Sequence, residues 1–177
     1  GASGGLGEQF ARTLSRAGAR VVLIARRKEK LEALSAQLGN ARAIQMDVSD
    51  KTSVALGFEA LEKAGEKISI CVNNAAIAAL TPVFKEDANS DFESIIQTNL
   101  MGTWYITKAV ARHMKRHQLK GSIINIGSVN GDAFPYQQLT AYAVSKAAVM
   151  HMTKALVGEL SPYQIRVPTL NLGPVQS

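Results

Sequence analysis

The sequence predicts an α/β domain built on a mostly parallel sheet. Two observations carry this. Short apolar runs rich in β-branched residues alternate with longer stretches whose apolar residues recur at helical spacing, and glycine-rich or polar turns separate the two kinds of segment from end to end. Gly1-Ala-Ser-Gly-Gly-Leu-Gly7 leads into a helix over residues 8–17, where Phe10, Ala11 and Leu14 share a face and Gly18 supplies the stop. Residues 19–25 form a nearly continuous apolar run, the pattern of a strand buried on both faces. A helix over 28–38 carries Leu31, Leu34 and Leu38 on one stripe and closes at Gly39. A strand over 41–46, a helix over 49–64 and a strand over 68–72 follow. Ser90 with Glu93 forms a capping-box pattern ahead of a long helix whose apolar positions run from Phe92 to Val110. A short buried strand over 121–127, a helix over 140–160 stopped by Pro162, and a last strand over 165–170 complete the alternation. Crossovers between such strands are right-handed. No repeat, low-complexity stretch or linker divides the chain, so residues 1–177 read as one domain.

Composition narrows the function. Of the 177 residues, 46% are hydrophobic and 19% charged, which excludes a disordered or fibrous chain. The formal net charge of +6 raises nucleic acid as a partner. The basic residues fall in two small groups, however: Arg26, Arg27, Lys28 and Lys30, then Arg112, His113, Lys115, Arg116, His117 and Lys120. The second group lies at a predicted helix end, where cations suit the macrodipole, and reads as a solvated face. Nucleic acid is therefore the less favoured use. Cys71 stands alone, which rules out an internal disulfide and makes a buried thiol the default. No apolar run is long enough to span a bilayer and no signal peptide opens the chain, so the expected location is cytoplasmic.

Tyr142-Ala-Val-Ser-Lys146 carries the chemistry. On a helix, positions i and i+4 share a face, so a phenol and an ammonium point into one space. A free phenol has a pKa of about 10 and exchanges protons poorly near neutrality. A nearby cation favours its ionised form, and such a pair can move a proton to or from an oxygen. A chance Tyr and Lys on an amphipathic helix is the bland alternative. Gly1, Gly5 and Gly7 give G-x-x-x-G-x-G just before a helix, which lets backbone approach a diphosphate at a helix N-terminus. Dinucleotide sites that bind ribose hydroxyls place an acid after the second strand, whereas this chain has Arg26 and Arg27 there. A guanidinium suits a 2′-phosphate, which favours NADP, with NAD as the alternative. Asp47, beside Val48, either accepts from an adenine amino group or caps the next helix. Asn73-Asn-Ala-Ala76 ends a strand on the ligand side of an open sheet. Asn99 is an ordinary polar helix position or holds a water beside Lys146. Ser128, at a strand's carboxyl end, either donates to a substrate oxygen or is a turn serine. Nothing in the spacing suggests a metal site.

Taken in order, these residues resemble the short-chain dehydrogenase/reductase family, in its oxidoreductase branch with a Tyr-x-x-x-Lys site. The likeness covers nearly the whole chain and departs from the family pattern at Ala76, Pro168 and Leu172. It implies a Rossmann-type, doubly wound parallel sheet with helices on both faces, here apparently lacking its first strand and its C-terminal segment. It implies an NADP-dependent enzyme that moves a hydride between nicotinamide and the carbon of a secondary alcohol or ketone. Tyr142 is then acid and base, Lys146 lowers its pKa and holds the ribose, Ser128 orients the substrate oxygen, and Asn99 supports a relay water. Substrate meets Ser128 and Tyr142. The cofactor meets Gly1, Ser3, Gly5, Leu6, Gly7, Arg26, Asp47, Val48, Asn73, Ala75, Tyr142, Lys146, Gly173, Val175 and Ser177. Specificity falls to loops 80–86 and 130–139, with Leu80, Phe134 and Tyr136 as apolar candidates. The long helices imply a homodimer or homotetramer. The competing expectation, from the missing ends, is an inactive nucleotide-binding fragment or structural subunit of the same fold.

Overall fold

A computed structural model describes residues 1–133 and 135–174. The alternation is as expected. Helix α1 (Gly5–Arg16) precedes strand β1 (Val21–Ala25), α2 (Lys28–Leu38), β2 (Ala41–Gln45), α3 (Lys51–Lys63) and β3 (Ile70–Asn73). Helix α4 (Ala88–Ile96) runs through a π-helical turn, Gln97–Met101, into α5 (Gly102–Arg116). Strand β4 (Gly121–Ser128), α6 (Thr140–Leu160), β5 (Ile165–Arg166) and β6 (Thr169–Leu172) follow.

Every strand pair is parallel. β1 pairs with β2 from Val21↔Ala41 to Ala25↔Gln45. β3 pairs with β4 from Ile70↔Ser122 to Asn73↔Asn125. The other edge of β4 carries β5 at its start and β6 at its end. Among the described residues the strands thus form two sheets, β1-β2 and β3-β4-β5/β6. Between the facing edges of β1 and β3 lies a slot of about 370 Å³, lined by Val21 to Ile24 on one side and Ile70 to Asn73 on the other, with Phe10, Phe58, Leu61 and Ile106 at its walls. Ala2 N–H donates to Ile24 O at 2.9 Å, so Gly1 and Ala2 enter the slot alongside β1. This strand-wide space is where the sequence reading expects a strand. At its far end Glu66, buried, accepts from Arg20 Nε at 2.9 Å and Nη2 at 2.6 Å and from Arg42 Nε at 2.7 Å, which ties the approach to β3 to the β1-β2 sheet. The hydrogen bond from Arg20 leads the causes that hold the Glu66 carboxyl below its ordinary pKa.

Each sheet has its own core. Ala11, Val21, Leu23, Ala25, Leu31 and Leu34 gather around β1. Met46, Val54, Ile106, Val110, Met114, Ile123, Leu156, Leu160 and Ile165 gather around β4. On α5, Ile106, Val110 and Met114 lie four residues apart on one buried stripe, and on α6 Ala141, Ser145, Val149, Thr153, Leu156 and Leu160 form a stripe at spacings of three or four.

Three local expectations are corrected. Ser90 does not cap the long helix: α4 begins at Ala88, and Ser90 Oγ donates to Asp87 O inside the first turn. Asp47 does not cap α3 either. Asp50 does, accepting from Thr52 N–H at 2.8 Å. The last strand is two strands, because Pro168 offers no N–H. Its carbonyl accepts from Asn125 N–H at 3.0 Å between β5 and β6. The basic group at the end of α5 is also less solvated than read, since His113 is buried. Cys71 faces the slot, and burial pushes its thiol up to about 12.

Candidate active site

The carboxyl ends of β1, β2 and β3 open on a cavity of about 470 Å³, within the usual range for a small-molecule site. Gly1, Ser3 and Gly4 form one wall. Ala25, Arg26 and Arg27 form the next, Asp47 and Val48 the floor, and Asn74 to Ile77 with Thr98 the far side. The glycine spacing has a steric reason at Gly7: a Cβ there would run into the Gly1 carbonyl oxygen and come within 2.8 Å of Asn74 Nδ2. α1 then begins directly behind the loop, with its unpaired N–H groups and positive dipole end toward the opening.

The two arginines differ. Arg27 is committed to the loop, donating to Ser3 Oγ at 3.2 and 2.9 Å and to Ser3 O at 3.1 Å. Among the described residues, no protein acceptor lies within hydrogen-bond distance of the Arg26 guanidinium, which lines the cavity. Asp47 accepts from Ser49 N–H at 2.9 Å and Ser49 Oγ–H at 2.6 Å. Burial raises its carboxyl pKa, but the Ser49 bonds and the Arg26 charge outweigh burial, and the group stays ionised below its ordinary value.

Of the catalytic candidates, Tyr142 and Lys146 sit in the first turns of α6 and Ser128 at the end of β4, and none of the three lines this cavity. Tyr142 is half-buried. Lys146 is buried, its Nζ 5.6 Å from the Tyr142 ring centroid and donating to Ile126 O on β4 at 2.7 Å. Burial lowers its pKa from 10.5 to about 8. Ser128 ends β4 two residues beyond Ile126, and its Oγ accepts from Asn130 N–H at 3.2 Å. Asn130 Oδ1 in turn accepts from Tyr136 N–H at 2.6 Å, which folds the loop back over the strand end.

Asn99, in the π-helical turn, is fully engaged. Its Oδ1 accepts from Ile77 N–H at 2.8 Å, and its Nδ2 donates to Ile77 O at 2.9 Å and Ser145 Oγ at 3.0 Å. Both amide protons therefore go to protein acceptors. Asn73 also departs from its expected place. Its amide donates to Thr107 Oγ1 at 3.0 Å and Asn125 Oδ1 at 2.8 Å, away from the cavity, while Asn74 lines it. Gly5, Leu6 and Gly7 stand behind the cavity wall, and Gly173 lies beyond β6 outside it. Val175 and Ser177, like Phe134, lie outside the described residues. Leu80 and Tyr136 are exposed, with Val83 and Phe84 beside Leu80, and Thr81 N–H to Gln138 O at 2.7 Å joins their two loops.

Comparison with known proteins adds the family. The short chain dehydrogenase profile matches residues 1–177. The chain belongs to the short chain dehydrogenase family. Oxidoreductase UcpA of Escherichia coli (strain K12) is 36% identical over 180 residues, covering all of this chain and 68% of that protein. Farnesol dehydrogenase of Aedes aegypti is 32% identical, covering 98% and 74%. Among solved structures, a gluconate 5-dehydrogenase from Burkholderia cenocepacia in complex with NADP and tartrate has a TM-score of 0.92 at 31% identity, over 100% of this chain and 70% of that one. A 3-ketoacyl-(acyl-carrier-protein) reductase from Brucella melitensis complexed with NADH has a TM-score of 0.90 at 32% identity, over 98% and 72%. No described helix is long and apolar enough to cross a membrane.

Away from this site, Glu62, His113 and His117 cluster with metal-ligand spacing. The proton inventory makes the cluster a brace instead. His113 Nε2 accepts from Ile68 N–H at 3.1 Å, and His117 Nδ1 lies 2.6 Å from Lys67 Nζ. The opposite ring nitrogens therefore carry hydrogens, which both go to Glu62 at 2.7 Å. Ligating histidines present an N–H to an outer acceptor, and here the outer neighbours are donors. The bonds from His117 and then His113 lower the Glu62 pKa from 4.5 to about 2. A carboxylate with a depressed folded pKa adds stability that is present above its unfolded pKa and lost as pH falls through the folded one. The melting temperature of the wild type should exceed that of Glu62→Gln at pH 7, with the gap closing between pH 4.5 and 2. A gap constant across that window would remove Glu62 as the cause.

Proposed function

We propose that this protein is an NADP-dependent oxidoreductase that transfers a hydride between nicotinamide and the carbon of a secondary alcohol or ketone, with Tyr142 as acid and base. The observation that carries the reading is the buried Lys146 ammonium beside the Tyr142 ring, on a helix whose first turns face the end of β4 and Ser128. The cavity fits a dinucleotide: a glycine wall, a helix N-terminus and an uncommitted guanidinium surround it. When bound, nicotinamide supplies or takes the hydride.

The chain's own residues do the rest. Tyr142 gives a proton to the carbonyl oxygen in reduction and takes it from the alcohol in oxidation. Ser128 donates a hydrogen bond that orients the same oxygen. Lys146 holds positive charge beside the phenol and donates to the nicotinamide ribose. Gly1 and Ser3 receive the diphosphate side, with Gly5, Leu6 and Gly7 shaping the loop and the helix start behind them. Asp47 and Val48 receive adenine, with Ala75 and Asn74 on the adenosine. Asn99 acts through the backbone that it braces. Arg26 reads the 2′-phosphate, which selects NADP over NAD. The substrate is a small alcohol or ketone held at Ser128 and Tyr142, and the working unit is a homodimer or homotetramer.

Side-by-side titrations test the cofactor assignment through energy transfer from Trp104 to the reduced nicotinamide. Wild-type protein should bind NADPH more tightly than NADH. Arg26→Ala should weaken NADPH by ~10-fold or more, the scale of a charge-assisted bond, and leave NADH nearly unchanged. Equal losses for both cofactors would overturn the 2′-phosphate role. A second reading, a nucleotide-binding subunit without catalysis, is favoured by the strand-wide slot between the sheets. It predicts cofactor binding with no turnover.

A further inference from the structure

We infer that Ser145 is a positioning residue for Tyr142, and that it does this by linking the tyrosine's own carbonyl to the cavity wall at Ile77. The inference rests on the reading of Tyr142 as acid and base. Ser145 is fully buried within α6. Its hydroxyl hydrogen goes to Tyr142 O at 2.7 Å, and its oxygen accepts from Asn99 Nδ2 at 3.0 Å. Asn99 then holds both the N–H and the C=O of Ile77, at 2.8 and 2.9 Å, and Ile77 lines the cavity. One unbroken chain of hydrogen bonds thus runs from the cavity wall through the π-helical turn to the main chain of Tyr142.

The geometry gives this chain a purpose that packing alone does not need. An alanine would fill the same helix position, with better helix propensity and no buried polar group. A hydroxyl that bonds back to the helix competes with the helical pattern and costs a little stability. Here it also gives Asn99 its only acceptor outside Ile77 among the described residues. Two further ties hold the same turns of α6. Ala141 N–H donates to Thr81 Oγ1 at 3.1 Å, and Lys146 Nζ donates to Ile126 O. Ser145 alone among these ties connects the tyrosine to the cavity. Removing it leaves a buried Asn99 N–H without its partner and lets the first turns of α6 shift relative to Ile77. Catalytic groups tolerate displacements well below 1 Å, so a small shift is felt in the rate.

The test compares wild type, Ser145→Ala, Ser145→Cys and Tyr142→Phe in the 177-residue chain. Turnover is followed as NADPH oxidation with 9,10-phenanthrenequinone as the carbonyl probe. The phenol of Tyr142 is titrated without cofactor, as the ultraviolet difference between each protein and Tyr142→Phe in the same background. Both Ser145 variants should lose kcat by ~10-fold or more, keep KM for NADPH within about 3-fold, and move the midpoint of the phenol titration by about half a pH unit or more. Cys keeps the volume but bonds weakly, so it separates the lost hydrogen bond from a lost atom and serves if Ala fails to fold. A kcat loss with an unmoved phenol titration would mean that Ser145 is only structural. Wild-type kcat in either variant, with Tyr142→Phe inactive, would overturn the Ser145 role and leave the enzyme reading standing. A Tyr142→Phe protein that turns over normally would overturn Tyr142 as acid and base, and with it the Ser145 role, while leaving the protein an oxidoreductase.

Discussion

Replacing Tyr142 by Phe lowers kcat by ~10²–10⁴, the contribution of a positioned acid or base, while NADPH binds as before. The substitution removes one oxygen and keeps the ring that lies beside Lys146 Nζ. Among the described residues no partner is bonded to that oxygen, and the side chain is half-buried, so stability changes by no more than ~0.5 kcal/mol. A melting temperature equal to wild type, a dissociation constant for NADPH within about 3-fold and a collapsed kcat form the expected set. Retained kcat would exclude Tyr142 as the proton donor. A parallel fall in kcat and NADPH affinity would assign it to binding instead.

The second large effect runs in opposite directions for stability and activity. Lys146→Met abolishes turnover and makes the apoprotein more stable at pH 7. Burial lowers the Lys146 pKa from 10.5 to about 8. A shift of that size corresponds to ~3 kcal/mol that disfavours the charged form in the folded state. The lost charge-assisted bond to Ile126 O returns ~2 kcal/mol, which leaves a net gain of ~1 kcal/mol and a rise in melting temperature of ~2–4 °C. The sign with pH follows from linkage. Below pH 8 both folded and unfolded chains carry the proton, and the whole cost is present. Between pH 8 and 10.5 the unfolded chain binds more protons than the folded one, so wild-type stability rises with pH. The advantage of Lys146→Met should shrink across that window and reverse above it, where the burial cost is gone and the bond to Ile126 O remains. A variant less stable than wild type at pH 7 would show that the ammonium is stabilising where it sits.

The limits of the sequence follow from what periodicity encodes. Helix α6 is legible to the residue, because its stripe at Ala141, Ser145 and Val149 is unbroken and Pro162 ends it. The place of Tyr142 and Lys146 follows from that stripe. The π-helical turn at Gln97–Met101 is not legible, since one inserted residue leaves the surrounding apolar spacing readable as a single helix. The resemblance assigns Asn73 to the cofactor, but successive strand residues point to opposite faces and a one-residue shift exchanges it with Asn74. The structure sends Asn73 to Asn125 and Thr107 and leaves Asn74 to the cavity. Helix α1 begins at Gly5, three residues ahead of the expected Glu8, since glycines are poor helix formers and hide a first turn. Ser145 carried no signal of its own. Between a tyrosine and a lysine of interest it reads as a small residue, and only the three-dimensional path through Asn99 gives it a role.

Deuterium transfer from NADPH reads the hydride step itself. NADPH carrying deuterium at the reactive C4 position is incubated with the protein and a panel of ketones from aryl ketones to keto-polyols, and the alcohols are examined by mass spectrometry. At least one alcohol should carry a single deuterium on its carbinol carbon, formed by wild type and absent with Tyr142→Phe. Saturable NADPH binding with no deuterium in any product would contradict it and leave a nucleotide-binding protein without hydride chemistry.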